Sequence, residues 1–305
     1  MQHPSRINMD NRKKNSTTRS KTYSFGLIGY PLDHSYSPKI HEAAFKALNI
    51  NGEYNLYQVE PSNSGKKMLE YLLNQIRQQQ ITGVNITIPH KQNVLTHLDQ
   101  LTDTAKQVGA VNTIFLSEDQ LTGDNTDALG FWRDLQKVFP GLIRKNSSKT
   151  HKALILGAGG SARAVAYMLL NNDFNLIIAA RNVNQARLLR EHFNHYSERI
   201  DILPLNHKLE RVSELLLIIN ATPVGMHPNI GDSPWPQEIP FPPGAYLYDL
   251  IYHPRETRFM KLAKHAGLKT ASGLGMLVEQ AALSFERWTS LRAPRKAMSN
   301  ALLQE

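Results

Sequence analysis

Short runs of aliphatic or β-branched residues alternate along the chain with stretches in which apolar residues recur every three or four positions. The first pattern is typical of buried strands and the second of amphipathic helices, so their alternation predicts βα units on mostly parallel sheets, an α/β fold. In the first half of the chain we predict strands at Ser24–Gly29, Tyr54–Val59, Gly83–Ile88 and Asn112–Leu116, and helices at Ser37–Leu48, at Met68–Gln79 and from Asn125 onward.

Two of these helices have predictable starts. Ser37 and Pro38 are a suitable N-cap and first helical residue. The helix that follows Asn125 would carry on its apolar side Leu129, Phe131, Trp132 and Leu135.

A change of composition at residues 140–150, rich in Gly, Pro, Ser, Asn and Lys, separates the two halves of the chain. Two successive βα units follow it, which indicates a second domain. The strands predicted there are Lys152–Leu156, Asn175–Ala180, Leu215–Asn220 and Tyr246–Ile251, and the helices are Ala162–Asn171, Asn184–Phe193, Thr257–Ala266 and Gly275–Trp288, the last with an apolar face of Met276, Leu277, Ala281 and Leu283.

Composition excludes several classes of protein. At 305 residues the chain is long enough for two domains, and without cysteine it has no disulfide framework, cysteine-ligated metal or thiol nucleophile. The longest aliphatic run, residues 215–219, is too short to cross a bilayer. We therefore expect no membrane association and a cytoplasmic location.

Much of the net charge of +9 comes from the N-terminus. Residues 1–22 hold six bases and one acid, whereas the remaining 283 residues have a surplus of only four positive charges. This segment lacks apolar periodicity, so we predict a disordered basic tail, with Met9 as an alternative start. An organellar transit peptide and nucleic-acid binding by the tail remain alternatives, although we expect no nucleic-acid partner.

A glycine-rich turn joins the first strand and helix of the second domain. It consists of Gly157, Ala158, Gly159, Gly160, Ser161 and Ala162. Small residues at a helix N-terminus let a pyrophosphate approach the backbone amides, so this turn predicts a dinucleotide site, the alternative being a tight turn without a ligand. The next strand ends at Arg181 and not at an acid, which favours NADP over NAD, unless Arg181 is only a surface charge.

Four polar clusters occur at the ends of predicted strands in the first domain, at residues 35–37, 85–91, 109–113 and 123–127. Hydroxyl and amide groups at such an edge suit a small polyhydroxylated ligand, although each could also be a turn or cap residue. Among them, Lys91 can donate a proton to an oxygen that gains charge, and Asp127 can orient it. His34 and His90 have no second ligand at metal spacing, so no metal site is predicted.

The motifs HSxSP, NITIPHK, GAVNT, GDNTD, GAGGSAR, NATPVGM and GLGMLVEQ occur in this order between Ser24 and Trp288. Together they resemble the shikimate dehydrogenase family, whose members reduce 3-dehydroshikimate to shikimate with NADPH in aromatic amino acid biosynthesis. The resemblance implies a catalytic substrate-binding domain of residues 23–126 plus 274–305, and a Rossmann-like NADP-binding domain of residues 127–273. It leaves a monomer or a homodimer open.

The resemblance also implies roles for individual residues. Lys91 and Asp127 would form the catalytic pair. The substrate would be bound by Ser35, Ser37, Asn85, Thr87, Asn112, Tyr252 and Gln280. Besides the glycine-rich turn, NADP(H) would be bound by Arg181, Asn182, Thr222, Leu250, Gly273, Met276 and Asp103.

Three positions bear on the choice within this family. Ala128 replaces the usual glycine after GDNTD, and Gln185 stands where a further base usually contacts the 2′-phosphate. Ser37, where relatives that use quinate tend to have threonine, favours shikimate. The alternatives are a quinate/shikimate dehydrogenase with relaxed substrate or cofactor choice and a non-catalytic NADP-binding sensor.

Overall fold

The computed structural model describes residues 22–142, 151–205 and 214–303. It contains two six-stranded sheets with helices on their faces, and it confirms the α/β fold class. None of the described helices is long and apolar enough to span a membrane. The predictions for the basic tail and for most of the boundary at residues 140–150 lie outside the described residues.

The first sheet has the strand order β2-β1-β3-β5-β6-β4. Its strands are β1 (Tyr23–Gly29), β2 (Gly52–Gln58), β3 (Gly83–Ile86), β4 (Gln100–Leu101), β5 (Thr113–Ser117) and β6 (Gln120–Asp124). β5 is antiparallel to both of its neighbours, whereas the other pairs are parallel. β4 and β6 were not predicted, because one is two residues long and the other is rich in polar residues.

The second sheet is entirely parallel, with the order β12-β11-β10-β7-β8-β9. Its strands are β7 (His151–Leu156), β8 (Phe174–Ala180), β9 (Ile200–Pro204), β10 (Leu217–Asn220), β11 (Tyr246–Asp249) and β12 (Lys269–Ser272). The four central strands are the predicted ones, shifted by up to two residues at their ends. Both edge strands, β9 and β12, were missed because they lack a continuous apolar run.

Ten α-helices are described. They are α1 (Ser37–Leu48), α2 (Asn63–Arg77), α3 (His90–Asn93), α4 (Asp103–Val108), α5 (Thr126–Val138), α6 (Gly160–Leu170), α7 (Val183–His192), α8 (Arg258–His265), α9 (Leu274–Thr289) and α10 (Arg295–Ala301). The prediction of Ser37 as an N-cap is wrong. The N-cap of α1 is Tyr36, whose side chain makes no capping bond, and Ser37 is already helical.

The last long helix, α9, returns to the first sheet. Its residues Phe285 and Trp288 are buried against Phe25 of β1. The predicted apolar face of α9 is partly wrong: Leu277 and Leu283 are only half-buried, and the buried face includes Val278, Ala282 and Phe285.

The helix that leaves the first sheet, α5, packs into the core of the second sheet through Phe131, Trp132 and Leu135. Leu129, predicted on the same face, is 38% exposed. It lies two residues from Phe131, which turns it away from that core.

α5 and α9 pack against each other and thereby connect the two cores. At Gly130 a Cβ atom would lie 2.9 Å from the backbone nitrogen of Gln280, so only glycine permits this approach. One helical turn later, Tyr248 donates a 2.6 Å hydrogen bond to Asp134, which also accepts from the Met276 backbone at the start of α9. Burial raises the pKa of the Asp134 carboxyl.

Gly130→Ala tests this packing. In an exposed helix interior the change would stabilise by about 1 kcal/mol. Here we expect destabilisation of about 1–3 kcal/mol, because the added methyl group meets backbone atoms of α9. The measurement is urea unfolding, with the exposed Gln136→Ala of α5 as control; equal or greater stability of Gly130→Ala would contradict the close packing.

Candidate active site

The predicted catalytic pair forms a buried ion pair between the two sheets. Lys91 Nζ lies 2.6 Å from Asp127 Oδ2, and the two side chains are 12% and 6% exposed. Lys91 lies on α3, just after β3, and Asp127 lies in the first turn of α5, which Asn125 caps by accepting from the Ala128 backbone. Because little water reaches the pair, its attraction is stronger than that of a surface ion pair.

Asn112 fixes the orientation of Asp127. Its side-chain Nδ2 donates to Asp127 Oδ1 at 2.9 Å, and its Oδ1 accepts from the Thr126 backbone at 2.7 Å. Gln280 Oε1 of α9 lies 3.3 Å from the same Nδ2. The Asn112 amide thus binds one oxygen of the carboxylate, and Lys91 binds the other.

A second layer of polar groups lies beneath this one. Asn85, which is 4% exposed, donates to Ser284 Oγ at 2.9 Å and to Thr113 Oγ1 at 3.2 Å, and it accepts from the Tyr54 hydroxyl at 2.8 Å. The side chains of Asn85 and Asn112 are therefore hydrogen-bonded within the protein, and their predicted contact with substrate stays a prediction. Tyr54, Thr113, Thr126 and Ser284 are members of the network that were not predicted.

Ser35, Ser37 and Tyr252 lie where the two sheets face each other. Tyr252 comes from the loop after β11; burial raises the pKa of its hydroxyl, which is hydrogen-bonded to Ser35. Ser37 is hydrogen-bonded to Tyr54. The remaining predicted substrate residue, Thr87, is half-buried and contacts Gly29 at the end of β1.

The same loops meet through aromatic and histidine side chains. Tyr36 and His253 are hydrogen-bonded at 2.9 Å between the hydroxyl and Nδ1, and His34 Nε2 lies 3.3 Å from His227 Nδ1. These contacts join the loop before α1 to loops of the second sheet. In the described ranges, no group of three His, Asp or Glu side chains is placed to hold a metal ion.

The glycine-rich turn forms the opposite wall, and its shape fits a pyrophosphate. Gly157 has φ +107°, and a Cβ on Gly159 would meet no atom within 4 Å. Gly159 is also the N-cap of α6, where no side chain caps the free backbone amides. An open space in front of uncapped amides at a helix N-terminus favours an anion.

This turn contacts the catalytic pair directly. Lys91 Nζ donates to Ser161 Oγ at 3.1 Å, and a Cβ on Gly160 would lie 2.8 Å from Lys91 Cβ. The predicted pyrophosphate site and the predicted proton donor are therefore adjacent.

Close backbone approaches bring further predicted cofactor residues together. A Cβ on Gly157 would lie 3.1 Å from Thr222 Cγ2, and one on Gly273 would lie 2.1 Å from the Leu250 carbonyl oxygen. Met276, at the start of α9, is buried.

The remaining cofactor candidates lie further out. Arg181 and Asn182 are exposed after β8, where Asn182 caps α7. Asp103 is on α4, its side chain 92% exposed and 3.9 Å from Lys106. No hydrogen bond joins Asp103 to the other candidate residues in the described part of the chain.

Asn220 and Asp249 hold Thr222 in place, and neither was predicted. Asn220 Oδ1 accepts from the Thr222 hydroxyl at 2.7 Å, and its Nδ2 donates to Asp249 Oδ1 at 2.9 Å. Asp249 Oδ2 accepts from the Thr257 hydroxyl at 2.6 Å. Burial raises the pKa of Asp249 to about 6, although its hydrogen bonds act in the opposite direction.

Three successive segments of the chain match known protein families. Residues 27–114 match the shikimate dehydrogenase substrate binding domain, residues 142–229 the shikimate / quinate 5-dehydrogenase family, and residues 273–303 the shikimate 5′-dehydrogenase C-terminal domain. A shikimate dehydrogenase (NADP(+)) of Caldanaerobacter subterraneus is 39% identical over 272 residues, 88% of this chain and 92% of that protein.

Solved structures are similar over the same length. Shikimate 5-dehydrogenase from Thermus thermophilus, in complex with NADP(H) and shikimate, is 35% identical with a TM-score of 0.78, covering 92% of this chain and 99% of that one. Quinate dehydrogenase from Corynebacterium glutamicum, in complex with NAD, is 29% identical with a TM-score of 0.81, covering 93% and 99%. The resemblance found in the sequence motifs is confirmed.

Asp249 predicts a pH-dependent contribution to stability. The pKa of Asp249 is about 6 in the native protein, whereas an unperturbed aspartate has a pKa of 3.8. Between these two pH values, the native carboxyl therefore binds more protons than the carboxyl of the unfolded chain. Its contribution to stability is therefore complete below about pH 4 and is lost as the pH rises through about 6, by on the order of 3 kcal/mol.

Asp249→Asn removes this titration, since the amide stays neutral. Denaturant unfolding from pH 4 to 7 should show wild-type stability falling relative to the variant as the pH rises. The exposed Asp232→Asn serves as the control. A stability difference between wild type and Asp249→Asn that does not change with pH would refute the assignment.

Proposed function

Because the chain belongs to the shikimate dehydrogenase family, we propose that it catalyses the reversible NADPH-dependent reduction of 3-dehydroshikimate to shikimate. It is an NADP-dependent oxidoreductase that acts on a CH–OH group in the shikimate pathway. The observation that carries this function is the buried pair of Lys91 and Asp127, placed directly against the glycine-rich turn.

The chemistry is divided between the cofactor and this chain. Bound NADPH supplies the hydride. As the ketone oxygen gains negative charge, Lys91 Nζ donates a proton to it, and Nζ recovers a proton from solvent; in the oxidation direction Nζ accepts the proton. Asp127 holds Nζ in position by accepting its 2.6 Å hydrogen bond.

Substrate binding is assigned by the groups each residue offers. The hydroxyls of Ser35, Ser37 and Tyr252 can donate to a substrate carboxylate. Thr87, Gln280, Asn85 and Asn112 offer amide and hydroxyl groups for the ring hydroxyls. Asn85 and Asn112 would do so only by exchanging hydrogen bonds they make within the protein.

For the cofactor, the amides of the turn from Gly157 to Ala162 would bind the pyrophosphate, and Arg181 with Asn182 the 2′-phosphate. Arg187, the next base along α7 after the position of Gln185, is exposed and donates to Asn184 at 3.1 Å. The region of Thr222, Leu250, Gly273 and Met276 would contact the nicotinamide. Asp103, exposed on α4, has the weakest support of these assignments.

Several broader features are part of the proposal. The catalytic domain would comprise residues 23–126 and 274–305, a boundary supported by the packing of α9 on the first sheet. The NADP-binding domain would comprise residues 127–273. We further propose a cytoplasmic enzyme, a monomer or homodimer without a nucleic-acid partner.

Substrate and cofactor choice are tested together by absorbance at 340 nm. Shikimate and quinate are each supplied with NADP and with NAD. We expect fast reduction of NADP with shikimate and much slower reactions in the other three combinations. Faster turnover with quinate or NAD would support the alternative of relaxed choice, and no turnover in any combination would support the sensor.

Lys91→Met tests the proton donor. Methionine keeps an apolar stem against Gly160 while it removes the ammonium group, so kcat should fall by about 10²–10⁴-fold. The dissociation constant for NADP, measured by fluorescence, should change by less than about threefold, since one hydrogen bond to Ser161 is lost. An unchanged kcat, or loss of NADP binding as large as the loss in kcat, would refute the role; the exposed Lys137→Met is the control.

A further inference from the structure

Arg163 is a buried cation without a partner. It follows the glycine-rich turn on α6 and is only 8% exposed, and its Nε is shielded from solvent without a hydrogen-bond acceptor. Across residues 22–142, 151–205 and 214–303, its guanidinium makes no hydrogen bond and no ion pair. Burial lowers its pKa, and no neighbouring charge counteracts this. Burying a guanidinium costs free energy unless acceptors replace its lost water.

A cavity of about 500 Å³ adjoins this side chain. Leu95, Leu101 and Ala105 give it an apolar wall, whereas Lys106, Arg163 and His192 give it a polar one. It has no lining residue in common with the glycine-rich turn or the other residues assigned to NADP and substrate, so it is a separate space.

The polar wall carries excess positive charge. A Cβ on Gly109 would lie 2.9 Å from Arg163 Nη1 and 2.8 Å from His192 Nε2, which places these two side chains side by side. The carboxylate beside Lys106 is that of Asp103, 3.9 Å away and almost fully exposed. His192 Nε2 donates to the Gln107 carbonyl oxygen at 2.8 Å, so this ring does not accept from Arg163 through Nε2.

We propose that this cavity binds a small organic anion, whose carboxylate or phosphate group pairs with Arg163 and whose apolar body lies against Leu95, Leu101 and Ala105. The planar guanidinium matches such oxyanions with two parallel hydrogen bonds. The space has room for a metabolite-sized molecule.

The cavity lies between elements that belong to the two sheets. Its walls come from α4 and β4 on the side of the first sheet and from α6 and α7 on the side of the second. A ligand that contacts both sides stabilises the arrangement in which Lys91 touches Ser161.

The probe is benzoate, one carboxylate on an apolar ring, with benzyl alcohol as the uncharged analogue. Calorimetric titration is done with saturating shikimate and, separately, with saturating NADP, so that each predicted active-site anion position is filled in one of the two series. We expect benzoate to bind wild type in both series, and Arg163→Met to bind it about 10-fold or more weakly.

Two further variants test whether benzoate binds at this cavity. Lys106→Met removes an exposed cation without risk to folding and should weaken benzoate binding several-fold, whereas the exposed Arg190→Met of α7 should leave it unchanged. Without benzoate, Arg163→Met should melt at the same temperature as wild type or higher, because it removes an unpaired buried charge.

Three results would overturn the proposal. They are unchanged benzoate affinity in both Arg163→Met and Lys106→Met, equal binding of benzyl alcohol, and displacement of benzoate by shikimate or NADP. None of them depends on catalytic activity, so the site and the proposed dehydrogenase function can fail independently.

Discussion

The geometry of the site depends on the close approach of α5 and α9 at Gly130. α5 starts with Thr126 and Asp127, and α9 carries Gln280 and Ser284 on the face turned towards it. Because α5 packs into the core of the second sheet and α9 into that of the first, this contact fixes one core relative to the other. The site lies where both helices meet the ends of the first sheet.

Around this contact, one ion pair lies among neutral polar groups. Lys91 and Asp127 neutralise each other, and the groups around them are amides and hydroxyls. Such surroundings hold Lys91 Nζ in place through its hydrogen bonds to Asp127 and Ser161. They also suit a ligand with several hydroxyl groups, whose hydrogen bonds replace those between side chains.

Prediction from the sequence was most accurate for features whose physical cause is local. Buried parallel strands need continuous apolar runs, and the glycine-rich turn needs small residues at fixed positions, so both were predictable. The N-cap at Tyr36 and the exposure of Leu129 depend on how the helices pack, and periodicity alone gave the wrong answer there. Ser284 lies one helical turn after Gln280 on the same face, a spacing that could have identified it. Asp249 had no comparable local pattern, because its partners Asn220 and Thr257 lie in other segments.

In the described part of the chain, three buried carboxylates accept hydrogen bonds from other side chains. Asp124 accepts from Arg287 and Thr102, Asp134 from Tyr248, and Asp249 from Thr257. His41, stacked on Tyr54, is neutral near pH 7 because burial lowers its pKa to about 3. An arginine cannot become neutral in this way, because its pKa remains far above 7 even when burial lowers it. Arg163 has no counter-charge among the described protein groups, and the cavity beside it is where an anion can supply one.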